Sequence, residues 1–152
     1  MYKTINTLFI SLSLTLSAQK EVDSASKKFG IVWEIEYLDS ASIEFQEALN
    51  ESNKGIRAFR ENDFDGALGH FNNGINLHAG IPKIYSNRGG VYFEKQDFYN
   101  ALIDYTKALE LDSLNPNFLY NRGLVYNATH QYSYAINDFE KSITINPNNP
   151  YT

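Results

Sequence analysis

The sequence predicts an all-α protein, a solenoid of about three helix-turn-helix hairpins, and three observations carry that prediction. The chain copies itself: YSNRGGVYFEKQDFYNALIDYTKALELD, residues 85–112, returns 34 positions later as LYNRGLVYNATHQYSYAINDFEKSITIN, residues 119–146. Shifted back by the same interval, a weaker copy sets Gly55, Phe64, Ala67 and Phe71 against Gly89, Phe98, Ala101 and Tyr105. Small residues recur at fixed offsets with rings between them, as helices that pack closely in pairs require. The aromatic content of 14%, half of it tyrosine, supplies the bulk needed to fill the gaps left by Gly and Ala. A period of this length, with each unit unable to bury its own apolar side, means stacked hairpins.

Residues 1–18, MYKTINTLFISLSLTLSA, carry one Lys and then an apolar run from Leu8 to Leu16 that ends in small residues before Gln19. This resembles a secretory signal peptide, and the run is far shorter than the roughly 20 residues a membrane span needs. Export to a periplasmic or extracellular space is expected, with an uncleaved apolar amino terminus in the cytoplasm as the alternative. Residues 19–47 read as a polar lead followed by a capping segment. In Phe29 to Leu38 the apolar residues alternate as in a strand, while Val32, Ile35 and Leu38 also fit a helical face. A lone strand would lack a ladder partner, so a helix or irregular cap over the first hairpin is expected. Asp39 or Ser40 is then the cap of a helix beginning near Ser42.

Three units follow, a degenerate one at 48–81, then 82–115 and 116–149, with 150–152 as a tail. In the first, Phe45, Leu49, Ile56 and Phe59 carry a stripe to Arg60, a turn falls at Glu61-Asn62-Asp63, and Phe64 to His78 supplies the second helix. Pro82 opens the next, since proline lacks only an amide that would be unpaired at a first helical position. Helices are expected at Lys83 to Glu94 and Phe98 to Leu111, then at Asn117 to Ala128 and Tyr132 to Ile145. The rings at 64, 98 and 132 are expected to fill the closed end of each hairpin. No amphipathic helix follows Ile145, so either the chain is cut short relative to its relatives or the outer face of the last hairpin pairs with another molecule, a second copy included.

This pattern resembles the tetratricopeptide (TPR) repeat. Its eighth position is Gly55, Gly89 and Gly123, its twentieth Ala67, Ala101 and Ala135, and its twenty-fourth Phe71, Tyr105 and Phe139. The twenty-seventh is small in each copy (Gly74, Ala108, Ser142), while the proline at the thirty-second survives only as Pro147. The resemblance implies a right-handed superhelix whose first helices line a concave groove that binds an extended protein segment.

Composition and motifs point the same way. The balance of 13 basic against 18 acidic residues gives a net charge of −5 without a basic cluster, which disfavours nucleic acid. Without cysteine there is no disulfide, thiolate metal site or lipid-bearing cysteine. There is no His-Glu-x-x-His helix, phosphate loop or Gly-x-Ser-x-Gly turn, and His70, His78 and His130 are too scattered to share an ion. No enzyme activity, cofactor or metal is expected.

The candidate binding residues sit on the first helices. Asn53, Asn87 and Asn121 recur at 34-residue steps, and a primary amide pairs with both N–H and C=O of an extended peptide. The alternative is that each amide holds a neighbouring repeat. Lys54, Arg88 and Arg122 follow one residue later and suggest an acidic guest. Lys83, Phe93, Tyr120, Leu124 and Asn127 complete the expected groove. The chaperone-binding subgroup of TPR proteins grips a carboxyl-terminal tail with a two-carboxylate clamp. Its offsets fall here on Ser52, Ile56, Asn87, Asn117 and Asn121, of which only Asn87 matches, so that clamp is missing.

Overall fold

The computed structural model describes residues 32–147, with side chains from Ser40 onward. The leader expected at 1–18, the polar lead up to Lys28, Phe29 to Ile31 and the tail at 150–152 lie outside the described residues. The chain divides into two compact units, residues 1–42 and 43–152, and the packing below is that of the second. Six helices make up the described chain: α1 (Val32–Arg60), α2 (Phe64–Leu77), α3 (Pro82–Glu94), α4 (Phe98–Leu111), α5 (Pro116–Ala128) and α6 (Tyr132–Ile145). Among the described residues there is no strand.

The start of α1 corrects one expectation. The helix runs without a break through Asp39 and Ser40, so neither is a cap, and the alternating stretch is helical from Val32. Between Val32 and Asn50 there is no Gly or Pro to stop a helix.

Three turns repeat at the 34-residue interval. Asn62, Gln96 and His130 take left-handed φ values of 61°, 59° and 59°. In each turn the next amide reaches back five residues: Asp63 N to Ala58 O, Asp97 N to Tyr92 O, and Gln131 N to Tyr126 O, at 2.9, 2.8 and 2.8 Å. These bonds satisfy carbonyls left over at the ends of α1, α3 and α5. The second helices are then capped by Asp63 and Asp97, whose carboxylates accept from Gly66 N and Asn100 N, whereas Gln131 makes no such bond. Pro82 and Pro116 open α3 and α5.

Within each hairpin the glycine of the first helix faces the ring of the second. A β-carbon on Gly55 would stand 2.7 Å from Phe71, one on Gly89 3.2 Å from Tyr105, and one on Gly123 2.5 Å from Phe139. The three glycines therefore occupy equivalent environments, and their lack of a side chain sets how closely the paired helices approach. At the other contact, Ser142 Oγ donates to Pro116 O at 2.8 Å, while Gly74 sits in the equivalent place against Ala48 O. Between hairpins, Ile75, Leu109, Phe118 and Leu119 join a core cluster that welds α4 to α5.

The ring expectation holds for two hairpins of three. Phe64 packs against Phe59 and Phe98 against Phe93, with ring centroids 5.8 and 5.6 Å apart. Tyr132 is 55% exposed, because the equivalent of Phe59 and Phe93 is Asn127, and it leans on His130 instead. Phe45, expected on the inner stripe, is an exposed ring standing edge-on to His78, while Ala48 and Ser52 are buried in its place.

Candidate functional site

An α-helix turns about 100° per residue, so neighbours in sequence face different ways. Asn53, Asn87 and Asn121 stand with Leu49, Lys83 and Asn117 four residues before them and Ile56, Gly90 and Leu124 three residues after. These spacings place one continuous stripe on α1, α3 and α5, and α3 and α5 touch directly. Asn53 and Lys83 are exposed, and Asn87, Asn121 and Leu124 are partly buried. The Nδ2 of Asn87 is buried without a hydrogen-bond partner, although an amide of this kind ordinarily finds one. Beside it Gly90 is open: a β-carbon there would meet nothing nearer than the Tyr105 hydroxyl at 3.6 Å.

The basic residues one position on are engaged elsewhere, which corrects the expected basic ladder. Arg88 Nε and Nη2 donate to the two oxygens of Asp104 at 2.8 and 2.7 Å, and Nη1 donates to Asn72 on α2 at 2.6 Å. Arg122 Nε and Nη2 donate to Asp138 at 2.7 and 2.9 Å. Both carboxylates are almost fully buried, at 2% and 1% exposure. Each guanidinium also lies over a tyrosine of its own helix, Tyr85 and Tyr126 respectively. The hydrogen bonds each guanidinium donates to its aspartate raise its pKa further, against the effect of burial. A bidentate pair whose carboxylate is withdrawn from water is a structural fastening between first and second helix, and neither guanidinium is free to form a basic ladder along the asparagine stripe.

The first hairpin solves the same position differently. His70 stands where the other two carry Asp104 and Asp138, opposite Lys54, so two basic groups face each other. Glu51 joins them, its Oε1 accepting from Lys54 Nζ at 2.5 Å and its Oε2 lying 2.9 Å from His70 Nδ1. Those two hydrogen bonds, Lys54 first, hold the Glu51 carboxyl down at about 2.

Of the remaining candidates, Tyr120 packs on Phe139 at 5.5 Å beside the stripe, and Asn127 is exposed near the end of α5. Phe93 belongs to the hairpin end with Phe98, not to the stripe. Asp104, Asp138 and Glu51 were not anticipated as partners. The signal was present, since Arg88 to Asp104 and Arg122 to Asp138 are both separations of 16. Among the described residues no group of three His, Asp or Glu side chains could hold a metal ion, and no helix is long and apolar enough to cross a membrane.

Stacked hairpins with a shared stripe on their first helices define a helical repeat array, and the comparisons give its kind. Residues 116–149 match the model described as Tetratricopeptide repeat, and residues 89–129 the one described as TPR repeat. The chain carries tetratricopeptide repeats, and its fold is an all-α TPR solenoid. Among solved structures it is similar to the first TPR domain of Spaghetti (RPAP3) bound to the HSP90 peptide SRMEEVD. The identity there is 26%, over 70% of this chain and 85% of that one, with a TM-score of 0.68. The first TPR domain of the human RPAP3 protein gives 26% identity, 69% and 83% coverage and a TM-score of 0.67. The Arabidopsis OM64 TPR domain, at 24% identity over 71% and 89% with a TM-score of 0.68, shares the fold. No curated protein matches the chain.

Proposed function

We propose that this protein is a non-enzymatic interaction scaffold that holds an extended protein segment along the stripe of its first helices. The observation that carries the reading is the buried, unpartnered Asn87 Nδ2 beside the open backbone of Gly90. With the Asn87 side chain turned outward, a main-chain carbonyl passing over Gly90 would satisfy that donor, and Asn53 and Asn121 would repeat the contact at either side. The similar Spaghetti domain, which is bound to SRMEEVD, supports peptide binding by this kind of array. An acidic tail is not the guest favoured here. Ser52, Ile56 and Asn117 replace the basic and amide groups a two-carboxylate clamp would use, and Arg88 and Arg122 are neutralised, leaving Lys83 as the exposed cation in the middle of the stripe.

The test is capture of extended peptides from a synthetic array by the chain and by its Asn87→Ala/Asn121→Ala variant, with helicity followed by circular dichroism. Capture by the parent and its loss in an equally helical variant is the expected result. Capture unchanged, or a variant that unfolds, would show that the amides do not read a guest. SRMEEVD on the same array is expected to bind no better than its sequence-scrambled control.

A second reading, self-association through the third hairpin, is favoured by the exposure of Ile136 and Ile143 on α6, at 56% and 44%. Light scattering tests it, since a monomer at high concentration would dismiss it. The resemblance of residues 1–18 to a signal peptide supports export as the setting for either reading, and amino-terminal sequencing that finds Met1 retained would count against it.

A further inference from the structure

The three hairpins carry hollows at repeat-equivalent places, floored by the first helix and walled by the second, and they are not alike. In the first hairpin the hollow is polar, with Glu51, Lys54, Asn73 and Asn76 around about 520 Å³. The second, also about 520 Å³, is lined by Tyr85, Arg88, Lys107 and Glu110. The third, between α4 and α6 over α5, is larger at about 690 Å³, within the range of small-ligand sites. Leu109, Leu114, Leu119 and Ile145 give it an apolar interior, and Leu114 is 71% exposed.

Each of the two cations of the third hollow has lost one bond that its counterpart keeps, although Arg122 retains its pair with Asp138. Lys107 is tied to Glu110 Oε2 at 2.9 Å, but the residue equivalent to Glu110 is Thr144, and Lys141 pairs with no described residue. Arg88 spends its Nη1 on Asn72, but the residue equivalent to Asn72 is Thr106, and Arg122 Nη1 donates to no described residue. Arg122 Nη1 and Lys141 Nζ therefore border a leucine-lined hollow without a described acceptor, and a charge-assisted bond is the strongest they could form. Glu140 stands on the same rim and opposes a guest with a second carboxylate.

We propose that this hollow is a second binding site, separate from the asparagine stripe. It takes the carboxyl-terminal aliphatic residue of a partner peptide, the carboxylate on Arg122 Nη1 and Lys141 and the side chain among Leu109, Leu114, Leu119 and Ile145. One carboxylate and one branched side chain match the charge and apolar surface on offer, and the scaffold so built holds one segment along its first helices and the end of another beside its second helices.

The test uses the full chain, isotopically labelled, titrated with N-acetyl-leucine and followed by amide chemical shifts, with N-acetyl-leucinamide and acetate as companions. N-acetyl-leucine is expected to move Leu114, Leu119, Lys141 and Ile145 with a dissociation constant on the order of millimolar, as its size allows. The amide analogue should bind roughly fivefold or more weakly, as loss of a charge-assisted contact implies. Lys141→Gln, at an exposed position, should narrow the difference between acid and amide, and Thr144→Glu should do the same by restoring the tie that Glu110 gives Lys107. Equal binding of acid and amide, an acetate response as strong as that of N-acetyl-leucine, or no shift at these residues would overturn the proposal. None of these outcomes depends on Asn87, so the stripe and the hollow fail or stand separately.

Discussion

At position 123 a hydrogen atom leaves the space that the Phe139 ring takes, and adding a methyl group would bring a carbon within 2.5 Å of it. Gly123→Ala must push the ring or the whole of α6 away, at a cost of about 1–3 kcal/mol. Gly69 is also helical, yet a β-carbon there would meet nothing within 4 Å. Gly69→Ala should therefore stabilise, by about 0.5–1 kcal/mol, through the lower backbone entropy of alanine in the unfolded chain. Urea denaturation of both variants checks the pair, and it is their opposite signs that test the close-approach argument. The same contrast marks what was legible at this scale. The repeated glycines were readable because a small residue at a fixed interval has one common cause. The partners of Arg88 and Arg122 were not read, because adjacent asparagine and basic ladders look like one surface in sequence although a helix turns them apart.

Between elements, the pairs Arg88–Asp104 and Arg122–Asp138 join first to second helix in hairpins two and three, with the aspartates shut away from water. Arg122→Met strands a buried charge and is expected to cost about 3–5 kcal/mol. Arg122→Met/Asp138→Leu should recover most of that loss, since apolar side chains of similar volume often replace a buried pair without penalty. Chemical denaturation of the two single variants and the double closes the cycle.

In the first hairpin the same fastening depends on Glu51. Its folded pKa, about 2, lies below the ordinary glutamate value of 4.5, so its contribution is present in full above that value and is lost as pH falls from 4.5 toward 2. The difference in melting temperature between the parent and Glu51→Gln should accordingly shrink across that window, and a constant difference would show that the carboxylate contributes nothing by its charge. The helix limits themselves were legible from Pro82, Pro116 and the polar turns. The long start of α1 was not, because Asp39 and Ser40 serve equally well as caps or as solvent-facing residues of a continuing helix.

Over the whole array, a period of 34 foretold the stacking, since each hairpin buries its apolar side only against the next. What lies beyond the last hairpin was legible only as a face without a cover, and the structure gives that face a measure. Leu109 on α4, covered by α5, is 7% exposed, whereas its equivalent on α6, Ile143, is 44% exposed. If neighbour contacts are what hold each helix, α6 is held from one side only, and its amides should exchange with solvent sooner than those of α4. Hydrogen exchange resolved by residue would show protection falling from α4 to α6. Substitution makes the same point in energy. Ile143→Lys is expected to shift stability by no more than about 0.5 kcal/mol, as at other surface positions, whereas Leu109→Lys should cost several-fold more by putting an unpaired charge into the cluster with Phe118 and Leu119. Equal losses at the two positions would mean that α6 is covered in solution, and equal exchange in α4 and α6 would mean that stability in this array does not run from neighbour to neighbour.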